Sequence, residues 1–290
     1  IWRVVRKFAT ASFKGDLSTV AFPAIFNEER TFIERIPDFF SYFPKYIGLA
    51  ISESNPTKQM GYVTMAISGS FFAYMQKRKP WNPMIGETYY TQWANGMECF
   101  CEQISHHPPE SALQVFGPNN SFKVEGVLRA SVSRGMNSVT VNQPGKMTLT
   151  LANGDVYTWE FPSVFVNGIF SGKRTQYLKG RIKIKSKNVI CKLCFGNKKR
   201  ADGKKTSVYG EIHQRDSKKV LSKITGSYTD QLEVDGIVLW RITDNDVRRP
   251  ITELFPRYKL YSDSRFRIDR GLKILGFTNA TEETKCALEE

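Results

Sequence analysis

The stretch between residues 79 and 243 most constrains the fold, because it is a succession of short alternating segments separated by turn residues. The run NSVTVNQPGKMTLTLANGDVYTWEF, residues 137–161, alternates apolar and polar side chains and is interrupted at Pro144–Gly145 and Asn153–Gly154. Another turn is predicted at Asp235–Gly236. Alternation of this kind is typical of β-strands with one buried face, and Asn-Gly and Asp-Gly favour tight hairpins. The sequence therefore predicts a long antiparallel sheet.

Helical patterns flank these strands. Residues 27–78 are predicted to be largely helical, with a start at Asn27 and interruptions at Pro37 and Pro44. From Asp244 onward the chain is irregular, and it becomes helical again in its last twelve residues, NATEETKCALEE. Helices on either side of a strand run without parallel crossovers favour an α+β, mainly β fold built on a barrel or a large sandwich. A barrel of many strands can enclose a ligand.

The first segment, IWRVVRKFATASF, has the pattern of a short amphipathic helix with a basic face. Its apolar face consists of Ile1, Val4, Val5, Phe8 and Phe13, and its polar face of Arg3, Arg6, Lys7 and Thr10. Two interpretations stay open: an ordinary surface helix that covers the core, or a mobile cover whose basic face meets an acidic membrane.

The charge balance points to an anionic partner. The chain has 42 Lys and Arg against 28 Asp and Glu, a formal net charge of +14. Nucleic acid, an acidic membrane surface or a phosphorylated ligand would each fit, and so would a basic surface with no specific role. No uninterrupted run of about 18 apolar residues is present, so no membrane-spanning helix is predicted. Because the chain begins at Ile1 rather than Met, we expect a fragment of a longer protein.

The five cysteines are too few, and odd in number, for a disulfide framework, which favours a reducing compartment. Cys99 and Cys101 are spaced like neighbours on one face of a strand, and Cys191 lies in an alternating apolar run with Cys194 nearby. We expect buried free thiols. A zinc site made from the CFC and CKLC pairs is the alternative.

The stretch CEQISHHPPES, residues 101–111, places His106 and His107 before two prolines. A metal site would need further ligands, and only His213 remains, without ligand-like spacing. Ser105 next to His106 does not resemble a catalytic triad, whose members are brought together by the fold. Two interpretations stay open from the residues alone: a stiff turn with incidental histidines, and a grip on phosphate by two imidazole donors held by the prolines.

A second candidate is KRKPWNPMIGETYY, residues 77–90. A basic cluster before a turn is usually a solvated patch. Here the Pro-x-Asn-Pro turn would pin Lys79 and Asn82 next to the start of the sheet, where they could hold a phosphorylated ring.

KPWNPMIGE followed by EQISHHPP resembles the signature of the oxysterol-binding protein family, in its lipid-exchange domain. GDLSTVAFPAIFNEE is similar to the family's opening segment, although Glu29 stands where many members have Pro. The mid-chain strands and the tail from Tyr261 are also similar to the family's. The resemblance implies a nearly closed antiparallel β-barrel around a lipid tunnel, with an N-terminal lid and helices and a C-terminal helical subdomain. It divides one domain into a lid (1–14), a helical region (15–78), a barrel (79–243) and a C-terminal subdomain (244–290).

The resemblance also implies a ligand and the residues that bind it. Such domains bind phosphatidylinositol 4-phosphate and often exchange it for a sterol or phosphatidylserine. The expected headgroup-binding residues are Lys79, Asn82, His106, His107, Lys285 and Glu289, and a further Arg would fall beyond Glu290. Trp2, Val5 and Phe8 are expected to pack over the tunnel mouth as a lid.

The resemblance therefore implies a lipid-transfer protein, and we expect no enzymatic activity, catalytic residues, metal or cofactor. We expect a monomer in the cytoplasm that visits anionic membranes, at organelle contact sites, and does not bind nucleic acid. The alternative from another class is a basic nucleic-acid-binding β-barrel, although no nucleic-acid-binding motif is recognisable. A hydrolase that uses His106 as a general base ranks third, since no paired nucleophile accompanies it.

Overall fold

The computed structural model describes residues 27–75, 78–168, 172–196, 205–217, 219–243 and 260–267. Several predictions from the sequence fall outside these ranges. They are the lid over residues 1–14 with Trp2, Val5 and Phe8, the opening segment up to residue 26, most of the C-terminal subdomain, and the site residues Lys285 and Glu289.

The helical region begins later than predicted. Asn27–Thr31 forms a strand, β1, which pairs in parallel with β2, Lys79–Trp81. Helices follow: α1 at Phe32–Arg35, α2 at Phe43–Ile51 and α3 at Pro56–Gly69, with 3-10 turns at Ile36–Phe40 and Ser70–Tyr74. The prediction of a largely helical region is thus confirmed except at its start. Asn27–Thr31 is a strand there because it pairs with β2, more than fifty residues later in the chain.

Local sequence explains where the helices start. Asn55 caps α3, since its Oδ1 accepts hydrogen bonds from the backbone N–H groups of Thr57 at 2.9 Å and Lys58 at 3.2 Å. Pro37 and Pro44 were predicted as interruptions, and each lies in the first turn of a new helix. There the missing N–H costs nothing, because the first helical N–H groups have no partner within the helix.

Fifteen strands between residues 88 and 241 form one antiparallel sheet. They are β3 Thr88–Gln92, β4 Glu98–Ser105, β5 Glu110–Phe116, β6 Phe122–Arg129, β7 Ser131–Arg134, β8 Ser138–Asn142, β9 Met147–Leu151, β10 Val156–Trp159, β11 Ser163–Asn167, β12 Thr175–Lys185, β13 Val189–Phe195, β14 Ser207–Gln214, β15 Val220–Ser227, β16 Gln231–Val234 and β17 Ile237–Arg241. The hydrogen-bonded path is β17-β16-β15-β14-β13-β12-β10-β9-β6-β5-β4-β3, with β11, β8 and β7 branching from β12. Within the described residues no ladder joins β3 to β17, so closure of the barrel stays a prediction.

Two of the three predicted turns are hairpins. Asn153–Gly154 joins β9 to β10, and Asp235–Gly236 joins β16 to β17 with φ values of 52° and 83°. The turn predicted at Pro144–Gly145 does not join two paired strands. β8 pairs with β7 and β11, whereas β9 pairs with β6 and β10, so this segment crosses between two parts of the sheet. A Cβ on Gly145 would lie 2.1 Å from the carbonyl oxygen of Val127, which explains the glycine there.

Helix α3 is packed against the inner face of the sheet. Ten of its fourteen residues are buried, and it contacts β13, β14, β16 and β17. The helix and sheet approach so closely at Gly69 that a Cβ would lie 2.5 Å from the indole Nε1 of Trp240. The alternating inward residues of β13, Val189, Cys191, Leu193 and Phe195, are all buried. No helix in the described part of the chain is long and apolar enough to span a membrane.

The cysteines lie as the strand pattern predicts. Cys99, Cys101 and Cys191 are buried free thiols, and Cys194 is half-buried. The sulfur atoms of Cys99 and Cys101 are 3.6 Å apart on β4, and burial raises the pKa of Cys191 to about 12. Across the described ranges, no group of three or more His, Cys, Asp or Glu residues is placed to hold a metal ion. Cys286 lies outside those ranges.

Candidate functional site

The histidine pair lies in the turn that joins β4 to β5. β4 ends at Ser105 and β5 begins at Glu110, so His106 and His107 lie beyond the strand alternation that would point them to opposite faces. Their ring centroids are 4.5 Å apart with an angle of 60° between the planes. His106 is half-buried and His107 is exposed. The two imidazoles therefore lie side by side at one end of the sheet, where β4 and β5 are joined.

Hydrogen bonds from neighbouring residues brace this turn. The Ser105 hydroxyl donates to the carbonyl oxygen of Pro108 at 2.7 Å. The amide of Gln103 donates to the Ser105 carbonyl oxygen at 2.6 Å and accepts from the Ser111 hydroxyl at 2.5 Å. The turn therefore holds its shape without hydrogen bonds from the imidazoles. Because the Ser105 hydroxyl proton is directed to a carbonyl, this arrangement does not resemble a serine activated by His106.

Lys79 and Asn82 also lie together, as predicted. The Lys79 ammonium donates to Asn82 Oδ1 at 2.9 Å, just after β2 ends at the buried Trp81. The pairing of β2 with β1 fixes the backbone, and the fixed backbone positions the lysine. A half-buried ammonium held by an amide oxygen is a ready donor for an anionic ligand.

A tight turn connects the two motifs. The backbone N–H of Glu87 donates to the Met84 carbonyl at 3.0 Å, with Gly86 at φ 76°, so Ile85 and Gly86 form the tip. The Gly86 N–H donates to the Gln103 carbonyl at 2.8 Å, and the Gln103 N–H donates to the Glu87 carbonyl at 2.9 Å. These bonds extend the β3–β4 ladder, so the segment that follows Lys79 and Asn82 lies directly beside the base of the histidine turn.

A buried ion pair supports the connecting turn, and sequence reasoning missed it. Arg267 Nη1 lies 3.2 Å from Glu87 Oε2 and donates to the Asn82 carbonyl oxygen at 2.6 Å. The same carboxylate oxygen accepts from the Met84 N–H at 2.9 Å. Burial raises the pKa of Glu87, and the Met84 hydrogen bond and the Arg267 charge oppose this only in part. In the sequence, Glu87 and Arg267 stand in two separate segments that resemble the family. Nothing in either segment indicates that the two residues form a pair.

The segment that carries Arg267 is itself fixed to the edge strand β3. The Thr88 N–H donates to the Ser262 carbonyl at 2.8 Å, and Thr88 forms an isolated bridge with Asp263. Arg265 adds a hydrogen bond to the Tyr90 carbonyl at 3.0 Å and an ion pair with Asp263 at 2.6 Å. Residues 262–267 therefore lie along the start of β3, next to the turn that connects the two motifs.

Four of the six predicted headgroup residues thus lie at this end of the sheet: Lys79, Asn82, His106 and His107. The other two, Lys285 and Glu289, lie outside the described residues. His213 is on the outer face of β14, buried and 3.1 Å from Glu211 Oε2, and is not part of this group. This end offers hydrogen-bond donors and positive charge, which suits a phosphorylated ligand.

The chain matches the family model described as oxysterol-binding protein over residues 2–248. It is 31% identical over 242 residues to human oxysterol-binding protein-related protein 1, covering 80% of this chain and 24% of that protein. It is 28% identical over 197 residues to oxysterol-binding protein 9 of Dictyostelium discoideum, covering 67% of this chain and 46% of that protein. The chain spans less than half the length of these relatives.

The fold is shared with solved structures. The Osh3 ORD of Saccharomyces cerevisiae, crystallised in complex with PI(4)P, has a TM-score of 0.80 at 19% identity, over 97% of this chain and 80% of that one. The Osh1 ORD domain in complex with ergosterol has a TM-score of 0.79 at 21% identity, over 93% of this chain and 74% of that one. With a family model that covers most of its length and a shared fold, this chain belongs to the oxysterol-binding protein family.

Proposed function

We propose that this chain is a lipid-transfer domain that binds phosphatidylinositol 4-phosphate and exchanges it for a second lipid, a sterol or phosphatidylserine, without catalysing a reaction. One observation carries the proposal: the paired rings of His106 and His107 lie on a braced turn whose base is hydrogen-bonded to the segment that follows Lys79 and Asn82. A phosphorylated inositol carries several negative charges, and their removal from water is prohibitive unless donors replace it. This end of the sheet supplies such donors.

The lipid's acyl chains and the membrane would be met by other parts of the domain. Closure of the sheet into a barrel would shield the acyl chains, and Trp2, Val5 and Phe8 would cover its mouth. Lys285 and Glu289 would complete the headgroup contacts. Such a domain would act as a cytoplasmic monomer that visits anionic membranes at organelle contact sites, with direction set by the lipid gradients. The bound form of an Osh3 ORD with PI(4)P and that of an Osh1 ORD with ergosterol support this choice of ligands.

Extraction from vesicles tests the proposal. We expect the protein, after incubation with phosphatidylcholine vesicles that contain a minor fraction of phosphatidylinositol 4-phosphate and removal of the vesicles, to carry a single phosphoinositide in native mass spectrometry. The mass of the recovered lipid should be unchanged, because no bond is broken. Failure to extract the lipid, or recovery of a dephosphorylated or deacylated product, would refute the transfer function.

The connecting turn bears apolar side chains that suit contact with a bilayer. Ile85 at its tip is 70% exposed, and Met84 and Ile104 beside it are also exposed. The bonds between Gly86 and Gln103 hold these residues next to the histidine turn. Apolar side chains on a rigid turn at the headgroup site would enter the interface of the membrane from which the lipid is taken.

Ile85→Asp should therefore slow extraction by about tenfold, because it removes the burial of one aliphatic side chain and places a charge at the interface. The measurement is the initial rate of phosphoinositide transfer between vesicles. Ile237→Asp is a matched control, since Ile237 is 67% exposed next to the Asp235–Gly236 turn. Equal rates for the two variants would contradict a membrane contact at Ile85.

A further inference from the structure

Strand β7, Ser131–Arg134, is a short strand at an edge of the sheet. It pairs with β8, and no other strand in the described part of the chain pairs with it. Ser131, Ser133 and Arg134 are exposed, and Val132 is half-buried. A strand that buries little apolar surface and has solvent-exposed backbone hydrogen bonds separates from its partner more readily than a core strand. β7 is therefore a segment that a second protein can bind in an extended conformation.

Ser131 has the freer of the two hydroxyl groups on this strand. The Ser133 hydroxyl donates to the Thr140 carbonyl oxygen at 3.5 Å and accepts from the Asn142 side-chain amide at 3.4 Å. The Ser131 hydroxyl makes no hydrogen bond with a residue that the structure describes. Ser131 can therefore present its oxygen to an enzyme without first giving up a hydrogen bond within those ranges.

The residues around Ser131 are basic and apolar. The sequence LRASVSRG, residues 128–135, places Arg129 two positions before the serine and contains no acidic residue. The Arg129 side chain is 53% exposed, and its ion pair with Glu110, at 2.7 Å, lies at the surface. Exposed ion pairs contribute little to stability, so the carboxylates of a partner can take over the guanidinium. Protein kinases select substrates by such charge patterns, and an arginine close before an exposed serine suits a kinase with an acidic substrate groove.

Ser131 lies next to the turn that carries the histidine pair. The backbone N–H of Ala130 donates to the carbonyl oxygen of Pro109 at 3.2 Å. Pro109 is two residues after His107, so this bond fixes the start of β7 to the base of the histidine turn. Charges interact over about 8 Å at physiological ionic strength. A charge added at Ser131 would therefore act on an anionic ligand held at that turn.

We propose that Ser131 is a phosphorylation site for an arginine-directed protein kinase, and that its phosphate weakens binding of the phosphoinositide headgroup. In the transfer, the Ser131 oxygen forms a bond to the γ-phosphorus of magnesium-bound ATP as the bond to the β–γ bridging oxygen breaks. ADP leaves with that oxygen, and the catalytic carboxylate of the kinase accepts the serine proton. A phosphoserine carries about −1.5 to −2 charges near neutral pH, which repel the phosphorylated inositol and compete with Glu110 for Arg129. The regulation rests on the proposed function, whereas the modification site does not.

Treatment of the folded chain with a kinase tests the site. The probe is magnesium-bound ATP with the catalytic subunit of cAMP-dependent protein kinase, which selects arginine before the serine. We expect phosphate at Ser131, located by mass spectrometry of the peptides, and its loss in Ser131→Ala. Arg129→Ala should be phosphorylated at Ser131 at least about tenfold more slowly, because a charge-assisted contact with the kinase is lost. A Ser131 that stays unmodified in the folded chain, or a rate that does not depend on Arg129, would overturn the site.

Phosphoinositide extraction before and after phosphorylation tests the regulation. We expect phosphorylation to reduce extraction by about fivefold or more, and Ser131→Glu to reduce it less, because a carboxylate carries a single charge. The control for phosphate at other positions is Ser131→Ala treated with the same kinase, which should extract the lipid as well as the untreated chain.

Ser217→Glu is the matched control for Ser131→Glu. Ser217 is also exposed, with Arg215 two positions before it. It lies in the β14–β15 turn, which the alternating strand directions place at the opposite end of the sheet. Extraction that is unchanged by phosphorylation, or equal losses in Ser131→Glu and Ser217→Glu, would overturn the regulation. If the untreated chain extracts no phosphoinositide, the proposed function fails together with the regulation, and the kinase result still decides the site.

Discussion

Replacement of both His106 and His107 by alanine is expected to abolish extraction of phosphatidylinositol 4-phosphate and leave the fold intact. Hydrogen bonds to a charged group contribute about 1.5–3 kcal/mol each, so the loss of two donors weakens binding by roughly a hundredfold or more. Lys79 and the proposed Lys285 contact remain in this variant, but their ammonium groups alone cannot replace the hydration shell of a phosphate that enters the protein.

The fold should tolerate this change because the braces of the turn do not involve the imidazoles. Ser105, Gln103 and Ser111 supply the hydrogen bonds, and His107 is exposed. The thermal unfolding temperature should stay close to that of the unmodified chain. Arg134→Ala with Lys146→Ala is the matched control, since it also removes two donors from the surface. Extraction by the histidine variant at the unmodified rate, with the fold preserved, would refute the headgroup assignment.

The alternation of apolar and polar residues was sufficient to predict the sheet because it reports which face of each strand is buried. It predicted the buried position of Cys191, and the turn residues predicted the hairpins at Asn153 and Asp235. The alternation and the turn residues did not predict which strands pair on either side of Pro144–Gly145. A Pro-Gly pair encodes a change of direction, whereas the choice of partner strand depends on segments far away in the sequence.

Only the composition of the candidate site could be predicted from the sequence. Two histidines before two prolines left a stiff turn and a grip on phosphate open, and a lysine three residues before an asparagine was a second candidate for anion binding. The structure brings each pair together, and anion binding stays a prediction. The role of Gln103 as the link between the motifs depends on a ladder that the sequence does not specify. The Glu87–Arg267 pair joins residues 180 positions apart, and no local pattern encodes such a contact.

Arg267→Ala is expected to destabilise the protein by about 3–5 kcal/mol, because it leaves the buried carboxylate of Glu87 without its counter-charge. It also removes the donor to the Asn82 carbonyl, so the segment between Asn82 and Glu87 should lose its fixed position and phosphoinositide extraction should weaken. The measurement is the free energy of unfolding in urea. Arg129→Ala is the control: Arg129 lies 2.7 Å from Glu110 in a similar ion pair, but its side chain is 53% exposed, so its loss should cost less than about 1 kcal/mol.

The pH dependence of Arg267→Ala distinguishes a lone buried carboxylate from a simple loss of packing. Burial raises the pKa of Glu87 even with Arg267 present, and without the arginine that pKa should rise further. A carboxyl whose pKa is higher in the folded than in the unfolded state binds protons more strongly when folded, so the folded state gains stability as the pH falls through the folded pKa. The stability loss should therefore be largest near neutral pH and shrink at mildly acidic pH. Glu87→Gln with Arg267→Met, which leaves no lone charge, should recover much of the stability and lose this pH dependence. A loss of stability in Arg267→Ala that is equal at both pH values, or larger in acid, would show that the charge of Glu87 is not what Arg267 balances.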